Sequence, residues 1–416
     1  MSLSLREGRE PARAGSDAPA AINAPAGSDA PAGEGARGTG PADWRVRMRL
    51  ARSRLIADPR FRHWAARIPG LRRIARGRAL ALFDMVAGFA YTKTLAASLD
   101  TGLLRALDGT ALTRAEIGAL PGLTAFPAPS TDALLTAAIG LDLIVRVADR
   151  YALGDAGASV LAEPGIPAMS AHHALTYRDL DDPVALLGVA GGASGKGGRA
   201  ETARFWEYAG GREDGTTPEG AARYSELMGV TQTFVAREIV AAYPFPRHRH
   251  LIDIGGGSGA FAEAVAQGAP GLRVTVFDLP DVASLARWRF EEAGLAPRCD
   301  AVGGSFHADD LPAGGDFYSL VRVLYDHDDA PAQDLLRRLH DAMPEGATLI
   351  VAEPMARLGG HERVGAYFAM YLAAMQSGRC REPGEIMAML REAGFRDARE
   401  RPVASPLFTG LVVARR

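Results

Sequence analysis

The feature that most constrains the fold is an apolar run that ends in a glycine-rich turn. Residues 250–254 have the pattern of a buried strand, and Gly255, Gly257 and Gly259 follow at alternate positions before a helix-forming stretch. Glycine permits a tight turn and leaves the backbone open to a ligand, because no Cβ atom stands in the way. The order of strand, glycine-rich turn and helix predicts the ligand-binding edge of an α/β sheet.

After this turn, the chain alternates between strand-like and helix-like segments. Strands are predicted at 250–254, 273–277, 317–323, 348–352 and 408–414, and helices at 258–268, 281–293, 331–343 and 383–393. Such alternation is typical of a parallel, doubly wound sheet with helices on both faces. We therefore predict a Rossmann-like α/β domain over residues 246–416.

Composition divides the remainder of the 416 residues into three segments. Residues 1–42 are rich in Ala, Gly, Pro and Ser and contain the heptapeptide AGSDAPA twice. A disordered tail is predicted there, because too little apolar surface is available to offset the entropy of ordering. Residues 43–162 combine a basic leader with a compact helical unit, and residues 163–245 form a mostly helical connector.

The basic leader comprises residues 44–79, in which twelve arginines accompany a single acid, Asp58. Apolar residues, Trp64 among them, lie between the arginines close to helical spacing. A basic amphipathic helix with aromatic residues can lie on an anionic membrane surface. The alternative is a solvated charged face on a helix that packs or dimerises.

The helical unit over residues 80–162 has the order helix, helix, helix, hairpin, which is typical of a winged helix. Thr113 and Glu116 form a predicted capping box, and two short strands are predicted on either side of residues 148–150. A winged helix can bind DNA, dimerise or cover a substrate. Because the predicted second helix, 114–120, has one basic residue and the net charge is −2, nucleic acid is not expected as a partner.

Other classes of protein are excluded by cysteine content and hydropathy. Cys299 and Cys380 are too few for a disulfide framework or a cysteine-rich metal site. His172 and His173 have no third ligand at a suitable spacing, so no metal is expected. Because no run of eighteen uncharged apolar residues and no secretory signal are found, a cytoplasmic protein is predicted, at most peripheral to a membrane.

Two acids accompany the glycine-rich turn. Asp253 precedes Gly255 by two residues, and Asp278 ends the next predicted strand. An acid at the latter position can bind both hydroxyls of a ribose. Because Gly255, Gly257 and Ala260 also match the dinucleotide fingerprint, a nicotinamide oxidoreductase is an alternative at this point.

The spacing Asp-x-Gly-x-Gly-x-Gly resembles the cofactor loop of class I S-adenosylmethionine-dependent O-methyltransferases with an N-terminal winged-helix-like dimerisation domain. The resemblance extends over about residues 80–416. It implies S-adenosylmethionine as the cofactor and a homodimer formed through the N-terminal domain. The implied cofactor-binding residues are Asp253, Gly255, Gly257, Gly259, Asp278, Leu279, Ser305, Phe306 and Arg322. Ser305 stands where the family usually has an aspartate near the adenine.

The implied catalytic residues Tyr325, His327 and Glu353 depart partly from the family pattern. Tyr325 replaces the usual histidine base, His327 replaces a tryptophan, and Glu353 matches a base-orienting acid. Cys380 stands where a second such acid is usual. A neutral tyrosine is a poor base but can orient a hydroxyl, so positioning is expected to carry most of the rate, with His327 or Glu353 accepting the proton. The neighbouring aspartates are expected to raise the pKa of His327.

Four segments, 52–66, 81–89, 324–329 and 371–378, are similar to bacterial carotenoid O-methyltransferases of the hydroxyneurosporene (demethylspheroidene) type. This resemblance implies methylation of the tertiary C-1 hydroxyl of an acyclic carotenoid in a phototrophic bacterium, with the basic leader on the inner (photosynthetic) membrane. Candidate wall residues of the apolar substrate site are Phe205, Tyr224, Met228 and Met375. The alternatives are another hydrophobic acceptor, such as a bacteriochlorophyll precursor or a polyketide phenol, and a winged-helix regulator that retains a ligand-sensing methyltransferase fold.

Overall fold

The computed structural model describes residues 41–188, 200–206, 218–356, 362–404 and 409–416. The predicted disordered tail and most of the glycine-rich stretch at 188–198 therefore lie outside the described residues. The chain divides into two compact units, Met1–Met85 and Val86–Arg416.

The described part of the first unit is helical. Helix α1 spans Pro41–Ala57, α2 spans Pro59–Ala65, and α3 spans Pro69–Asp100 and so continues past the boundary of the unit. The break after α1 has a local cause, because the Asp58 side chain accepts a hydrogen bond of 2.7 Å from the N–H of Arg60 and caps α2. The basic leader is helical, as its residue spacing predicts, but it is divided among three helices.

Large apolar side chains are exposed along the helices of the basic leader. Trp44 is 50% exposed and Trp64 is 55% exposed. The other exposed apolar side chains of this segment are Val46, Met48, Leu50, Leu55, Ile56 and Ile74. The surface of the leader therefore carries exposed apolar side chains, two of them indoles, together with the guanidinium groups of its arginines.

Among the described residues, α3 is the helix that is long and apolar enough to cross a membrane. The apolar stretch of α3 contains Asp84 and Lys93, so the helix meets a test of mean hydropathy although the chain has no run of eighteen uncharged apolar residues. Core helices of soluble proteins and signal sequences have the same length and composition, so we assign no membrane span. The exposed large apolar residues of α3 are Ile74, Leu80, Leu82, Phe83, Met85, Val86 and Phe89.

The second unit continues after α3 with a small subdomain of short helices and strands. Its elements are α4 (Leu103–Ala106), β1 (Leu112–Thr113), α5 (Arg114–Gly118), α6 (Ala128–Gly140), β2 (Ile144–Val147), β3 (Arg150–Leu153) and α7 (Asp155–Ala162). The three strands form an antiparallel sheet in the order β1-β3-β2. The predicted capping box is confirmed, since the Thr113 N–H donates to Glu116 Oε2 at 2.7 Å and Thr113 Oγ1 accepts from the Glu116 N–H.

Helices form the connector that follows. They are α8 (Gly165–Asp179), α9 (Pro183–Gly188), α10 (Glu201–Trp206) and α11 (Pro218–Ala242). The carboxylate of Asp179 accepts the N–H groups of Glu201 and Thr202, each at 2.7 Å, and thereby stabilises the start of α10. Helix α11 buries Val235 and Ile239 in the core beside the large sheet.

The large sheet of the second unit is mixed. Its strands are β4 (His250–Ile254), β5 (Arg273–Asp278), β6 (Cys299–Gly303), β7 (Phe317–Val321), β8 (Thr348–Glu353), β9 (Arg396–Arg401) and β10 (Gly410–Arg415), in the order β6-β5-β4-β7-β8-β10-β9. Strands β4 to β8 are parallel, but β10 is antiparallel to β8 and to β9. The expectation of a wholly parallel sheet is therefore wrong at this edge, because the short connection from β9 to β10 has no room for a crossover helix.

Helices cover both faces of this sheet, namely α12 (Ala260–Gly268), α13 (Pro280–Glu292), α14 (Asp329–Ala342), α15 (Glu362–Met375) and α16 (Pro383–Glu392). Alternate residues of each central strand enter different cores, as Leu251 does on one face and Ile252 on the other. The carboxyl ends of β4, β5, β7 and β8 consequently meet at one edge. This edge carries the candidate site.

Candidate active site

The glycine-rich turn after β4 has the backbone that its sequence predicts. Gly255, Gly257 and Gly259 have positive φ angles of 65°, 60° and 78°. A Cβ atom on Gly257 would meet no atom within 4 Å, whereas one on Gly255 would lie 2.7 Å from the side chain of Val323. Open space therefore lies in front of Gly257, and the packing behind Gly255 has no room for a side chain.

Asp278 joins the end of β5 to this turn. Its Oδ2 accepts the Gly257 N–H at 2.8 Å, and its Oδ1 accepts the Leu279 N–H at 2.8 Å. Burial raises the pKa of Asp278, and these two hydrogen bonds act in the opposite direction by stabilising the carboxylate. Asp278 thus fixes the glycine-rich turn from the carboxyl end of β5.

Asp253 lies within β4, behind the turn. It is fully buried, and its Oδ1 accepts a hydrogen bond of 2.6 Å from Ser319 Oγ on β7. Burial raises the pKa of Asp253 to about 7; the hydrogen bond from Ser319 opposes this shift, and the charge of Asp278 adds to it. A Cβ atom on Gly256 would collide with its carboxylate, so Asp253 shapes the turn from beneath.

The segment after β6 brings an aromatic ring to the same edge. The Ser305 N–H donates to Asp309 Oδ2 at 2.8 Å, and Ser305 Oγ accepts from the N–H of His307. The ring of Phe306 lies near Gly255, 3.6 Å from the position of a Cβ built on that glycine. Phe306, a predicted adenine-side residue, therefore lies next to the glycine-rich turn, and Ser305 directly precedes it in the chain.

Together these residues fit S-adenosylmethionine. The open space over Gly257 admits a ligand to the backbone, a partly buried acid lies at the end of β5, and an aromatic ring lies beside the turn. An α/β sheet binds ligands at this edge, outside the carboxyl ends of its strands.

Glu353, at the end of β8, is surrounded by backbone donors. Its carboxylate accepts the N–H groups of Val323, Leu324 and Tyr325 at 3.3, 2.8 and 3.3 Å. Burial raises the pKa of Glu353 to about 7, and the three N–H groups oppose the shift, as does the charge of Arg381. Glu353 therefore holds the turn that carries the predicted catalytic residues.

Arg381 holds the same turn by donating hydrogen bonds to the backbone carbonyl groups of the turn. This residue is 2% exposed and donates to the carbonyl oxygens of Leu324 at 2.7 Å and His327 at 2.8 Å. It also donates to the carboxylate of Asp329. The sequence reasoning missed Arg381, although its place directly after Cys380 was a signal that could have found it. Burial raises the pKa of the Cys380 thiol to about 12.

Tyr325 belongs to a buried aromatic and apolar cluster. Its ring lies edge-on to Phe368 with the centroids 6.1 Å apart, and Tyr371, Leu372 and Met375 complete the cluster. The structure therefore brings together two of the predicted site residues, Tyr325 and Met375. All members other than Tyr325 come from α15, which the sequence pattern did not predict.

The two histidines of α8 contact the tyrosines of α15. His172 Nε2 lies 2.7 Å from the hydroxyl of Tyr371, and His173 Nε2 lies 2.7 Å from that of Tyr367. Burial lowers the pKa of His172 to about 4, and the charge of His173 adds to this effect. Each histidine is thus engaged in a hydrogen bond that joins the connector to the α/β domain.

His327 packs against Phe306, the ring that lies beside the glycine-rich turn. Its ring is edge-on to Phe306 and to His307, at centroid distances of 5.5 and 5.0 Å. The expectation of a raised pKa is wrong, because burial lowers the pKa of His327 to about 4, with His307 and Arg381 acting in the same direction. Asp328 opposes this shift, but the exposed aspartate cannot offset the loss of hydration.

Asp326, which the sequence reasoning did not single out, has a buried carboxyl group. Its Oδ1 atom has no hydrogen-bond partner among the residues that the structure describes. Burial raises the pKa of Asp326 well above its ordinary value, as does the charge of Glu353, while Arg322 and a hydrogen bond from the Tyr325 side chain lower it. The family motif did not point to Asp326, because the position of the family's base falls on the neighbouring residue, Tyr325.

The remaining predicted residues are placed as follows. Arg322, with a positive φ of 58°, donates through Nη1 to Thr231 Oγ1 of α11 at 2.9 Å. Phe205 lies in α10, and Tyr224 and Met228 lie in α11. The side chains of these last three lie outside the described part of the structure.

Known proteins are similar to this chain over most of its length. The O-methyltransferase domain model matches residues 191–396. Demethylspheroidene O-methyltransferase of Cereibacter sphaeroides is 41% identical over 366 residues, which cover 87% of this chain and 93% of the relative. Its counterpart in Rhodobacter capsulatus is 37% identical over 369 residues, covering 88% and 89%.

Solved structures agree with the fold. The crystal structure of LaPhzM has a TM-score of 0.66 and 25% identity, and it covers 81% of this chain and 98% of its own. Human N-acetylserotonin methyltransferase in complex with S-adenosylmethionine has a TM-score of 0.65 and 23% identity, with 82% and 97% covered. The mostly helical N-terminal region and the mixed Rossmann-like sheet are therefore an architecture shared with known methyltransferases.

Proposed function

The chain belongs to the S-adenosylmethionine-dependent O-methyltransferases, and from that premise we propose that its acceptor is the tertiary C-1 hydroxyl of an acyclic carotenoid. The observation that carries this proposal is the similarity, over nearly the full length of both chains, to two demethylspheroidene O-methyltransferases. The alternatives, a phenol, a bacteriochlorophyll precursor or a DNA-binding regulator, have no comparable support.

The cluster around Tyr325 supports an apolar acceptor. Phe368, Leu372 and Met375 bring aromatic and aliphatic groups next to the turn that follows β7. A polyene can bury its hydrocarbon against such groups, while its hydroxyl requires a polar partner. Phe205, Tyr224 and Met228 remain predicted wall residues on α10 and α11.

The cofactor site is proposed beside this cluster, at the carboxyl ends of β4 and β5. The nine residues inferred for it from the resemblance remain the proposed cofactor contacts, with Gly257 and Asp278 nearest the open space at the turn. Bound S-adenosylmethionine supplies an activated methyl group. The chain's own residues hold the acceptor oxygen in line with that group, and this positioning carries most of the rate.

Among the predicted catalytic residues, Tyr325 and Glu353 are assigned positioning roles. Tyr325 hydrogen-bonds the neighbouring carboxyl group of Asp326, and Glu353 fixes the backbone from Val323 to Tyr325. The packing of His327 against Phe306 supports a position for this ring on the cofactor side of the turn.

The basic leader is proposed to bind the anionic surface of the inner membrane. Residues 44–79 carry twelve arginines beside exposed tryptophans, a combination that suits anionic headgroups and the interfacial region. The protein would thus be cytoplasmic and peripheral on the membrane in which its carotenoid dissolves.

A homodimer is proposed through the N-terminal domain. The exposed face of α3 from Leu80 to Phe89 is apolar, and a second copy of the chain would remove that face from water. Light scattering of the purified protein checks this, with a dimer expected for the native chain and a monomer for Phe83→Asp.

The experiment that tests the proposed function uses purified protein, methyl-labelled S-adenosylmethionine and detergent-dispersed 1-hydroxy acyclic carotenoids. Mass spectrometry is expected to find a labelled methyl ether, which Gly257→Arg does not form. Absence of transfer by a wild-type protein that binds S-adenosylhomocysteine in calorimetry would overturn the proposed acceptor.

A further inference from the structure

We propose that Asp326 accepts the proton of the acceptor hydroxyl during methyl transfer. This assignment rests on the function proposed above and names a group within the same site. It replaces the expectation that His327 or Glu353 accepts the proton.

The position of Asp326 carries the proposal. The residue ends the short helical turn Leu324–Asp326, directly after β7 at the ligand-binding edge of the sheet. Its Oδ1 atom is buried and finds no donor among the described residues. Buried carboxylate oxygens are normally hydrogen-bonded because desolvation without a partner costs free energy. A hydroxyl of the substrate is a donor of the kind that this oxygen lacks.

The neighbouring candidates are already engaged. Glu353 accepts three backbone N–H groups, and proton transfer to it would weaken the bonds that hold the turn. The ring of His327 packs against Phe306 and His307. Tyr325 donates to Asp326 and, as a neutral phenol, is a poor base.

The charges around Asp326 are suited to a base. Arg322 and the Tyr325 side chain stabilise its carboxylate form, whereas burial and Glu353 disfavour that form and raise its pKa. Cys380 also faces this group, as a thiol whose pKa burial raises to about 12. A carboxylate with a raised pKa is a stronger base than an exposed one, and it acts only after it has lost its own proton.

The chemical step balances with this assignment. The oxygen of the tertiary hydroxyl forms the new C–O bond to the methyl carbon, and the C–S bond breaks with its electron pair remaining on sulfur. The hydroxyl proton passes to Asp326 Oδ1, which becomes a carboxylic acid and later releases the proton to water. A tertiary alcohol has no accessible alkoxide near neutral pH, so the proton leaves as the C–O bond forms.

The test compares Asp326→Asn with Asp326→Glu and with Asp310→Asn, a control at an exposed aspartate. Asp326→Asn is expected to lower kcat with a 1-hydroxy carotenoid about 100-fold, the scale of general-base catalysis. Its affinity for S-adenosylhomocysteine and its Tm should match the wild type. Asp326→Glu should regain part of kcat, and Asp310→Asn should retain all of it.

The pH profile separates a base from a structural residue. For the wild type and Asp326→Glu, kcat is expected to rise with pH as the carboxyl group ionises, whereas the residual kcat of Asp326→Asn should lack this rise. An Asp326→Asn enzyme with wild-type kcat and pH profile overturns the assignment alone. A wild-type protein that methylates no carotenoid overturns the proposed function and the assignment with it. Loss of folding in Asp326→Asn together with full activity in Asp326→Glu at every pH would show a structural role.

Discussion

Arg381 donates a hydrogen bond of 2.7 Å to the carbonyl oxygen of Leu324, and the N–H of Leu324 in turn donates a hydrogen bond of 2.8 Å to the carboxylate of Glu353. Both polar backbone groups of Leu324 are thus bound by buried charged side chains from other segments. The turn that presents Tyr325 and Asp326 is held from both directions, so its geometry depends on residues that touch no substrate.

Arg381→Lys is expected to destabilise the fold by about 1–3 kcal/mol, because a single ammonium cannot reach every acceptor and leaves a buried carbonyl without a partner. Arg379→Lys is the matched control, since Arg379 binds the same Asp329 from an exposed position and should change stability by less than about 1 kcal/mol. Urea unfolding measures both, and equal losses would contradict the role given to Arg381.

Gly257→Ala should weaken cofactor binding while the fold persists. The residue has a φ of 60° and open space around a built Cβ, so the methyl group strains the backbone modestly and fills the space proposed for the ligand. Gly314→Ala provides the control, because Gly314 has a φ of 88° and equally open surroundings away from the site. Calorimetry should find at least a tenfold rise in the Kd for S-adenosylhomocysteine for the first variant only.

His172 predicts a loss of stability in acid. Its pKa falls from 6.5 to about 4 on folding because burial disfavours the charged ring. Between these values the unfolded chain binds a proton that the folded chain does not, so stability declines as the pH falls from 7 to 5, by about 2 kcal/mol for this group. Urea midpoints should show a shallower decline for His172→Gln than for the wild type or for His63→Gln, a change at an exposed histidine of α2. Identical slopes would refute the prediction.

Vesicle binding should depend on the basic leader. Each arginine near an anionic surface contributes about 1 kcal/mol, so replacing Arg45 and Arg49 with Gln should weaken binding to phosphatidylglycerol vesicles about 30-fold. Replacing Arg396 and Arg399, which are exposed in the second unit, should have little effect. Sedimentation with vesicles measures both pairs. An altered oligomeric state with unchanged vesicle binding would instead place the leader against the partner subunit.

Much of the fold could be predicted because the central strands carry continuous apolar runs. Strands β4, β5, β7 and β8 appear within a few residues of their predicted bounds. The edge strand β9 could not be found, since its sequence, Arg-Asp-Ala-Arg-Glu-Arg, has no apolar alternation and gains order only by pairing with β10. The direction of β10 was likewise set by that pairing and not by its own residues.

The site was predictable where it is local in sequence and unpredictable where it is assembled across the fold. The glycine-rich turn and Asp278 are read from adjacent residues and lie together in the structure. By contrast, the N–H groups that occupy Glu353 come from about thirty residues away, and the burial that lowers the pKa of His327 arises from packing. Sequence neighbours alone gave the wrong direction for that histidine.

The most direct test of the proposed carotenoid acceptor is a competition between two acceptors for the purified wild-type enzyme. An acyclic carotenoid with a tertiary 1-hydroxyl and a phenol of similar hydrophobicity are offered together with labelled S-adenosylmethionine, and kcat/KM is measured for each by mass spectrometry. At least a hundredfold preference for the carotenoid is expected, with a single methyl ether at the tertiary carbon. Equal or greater transfer to the phenol would contradict the proposed acceptor.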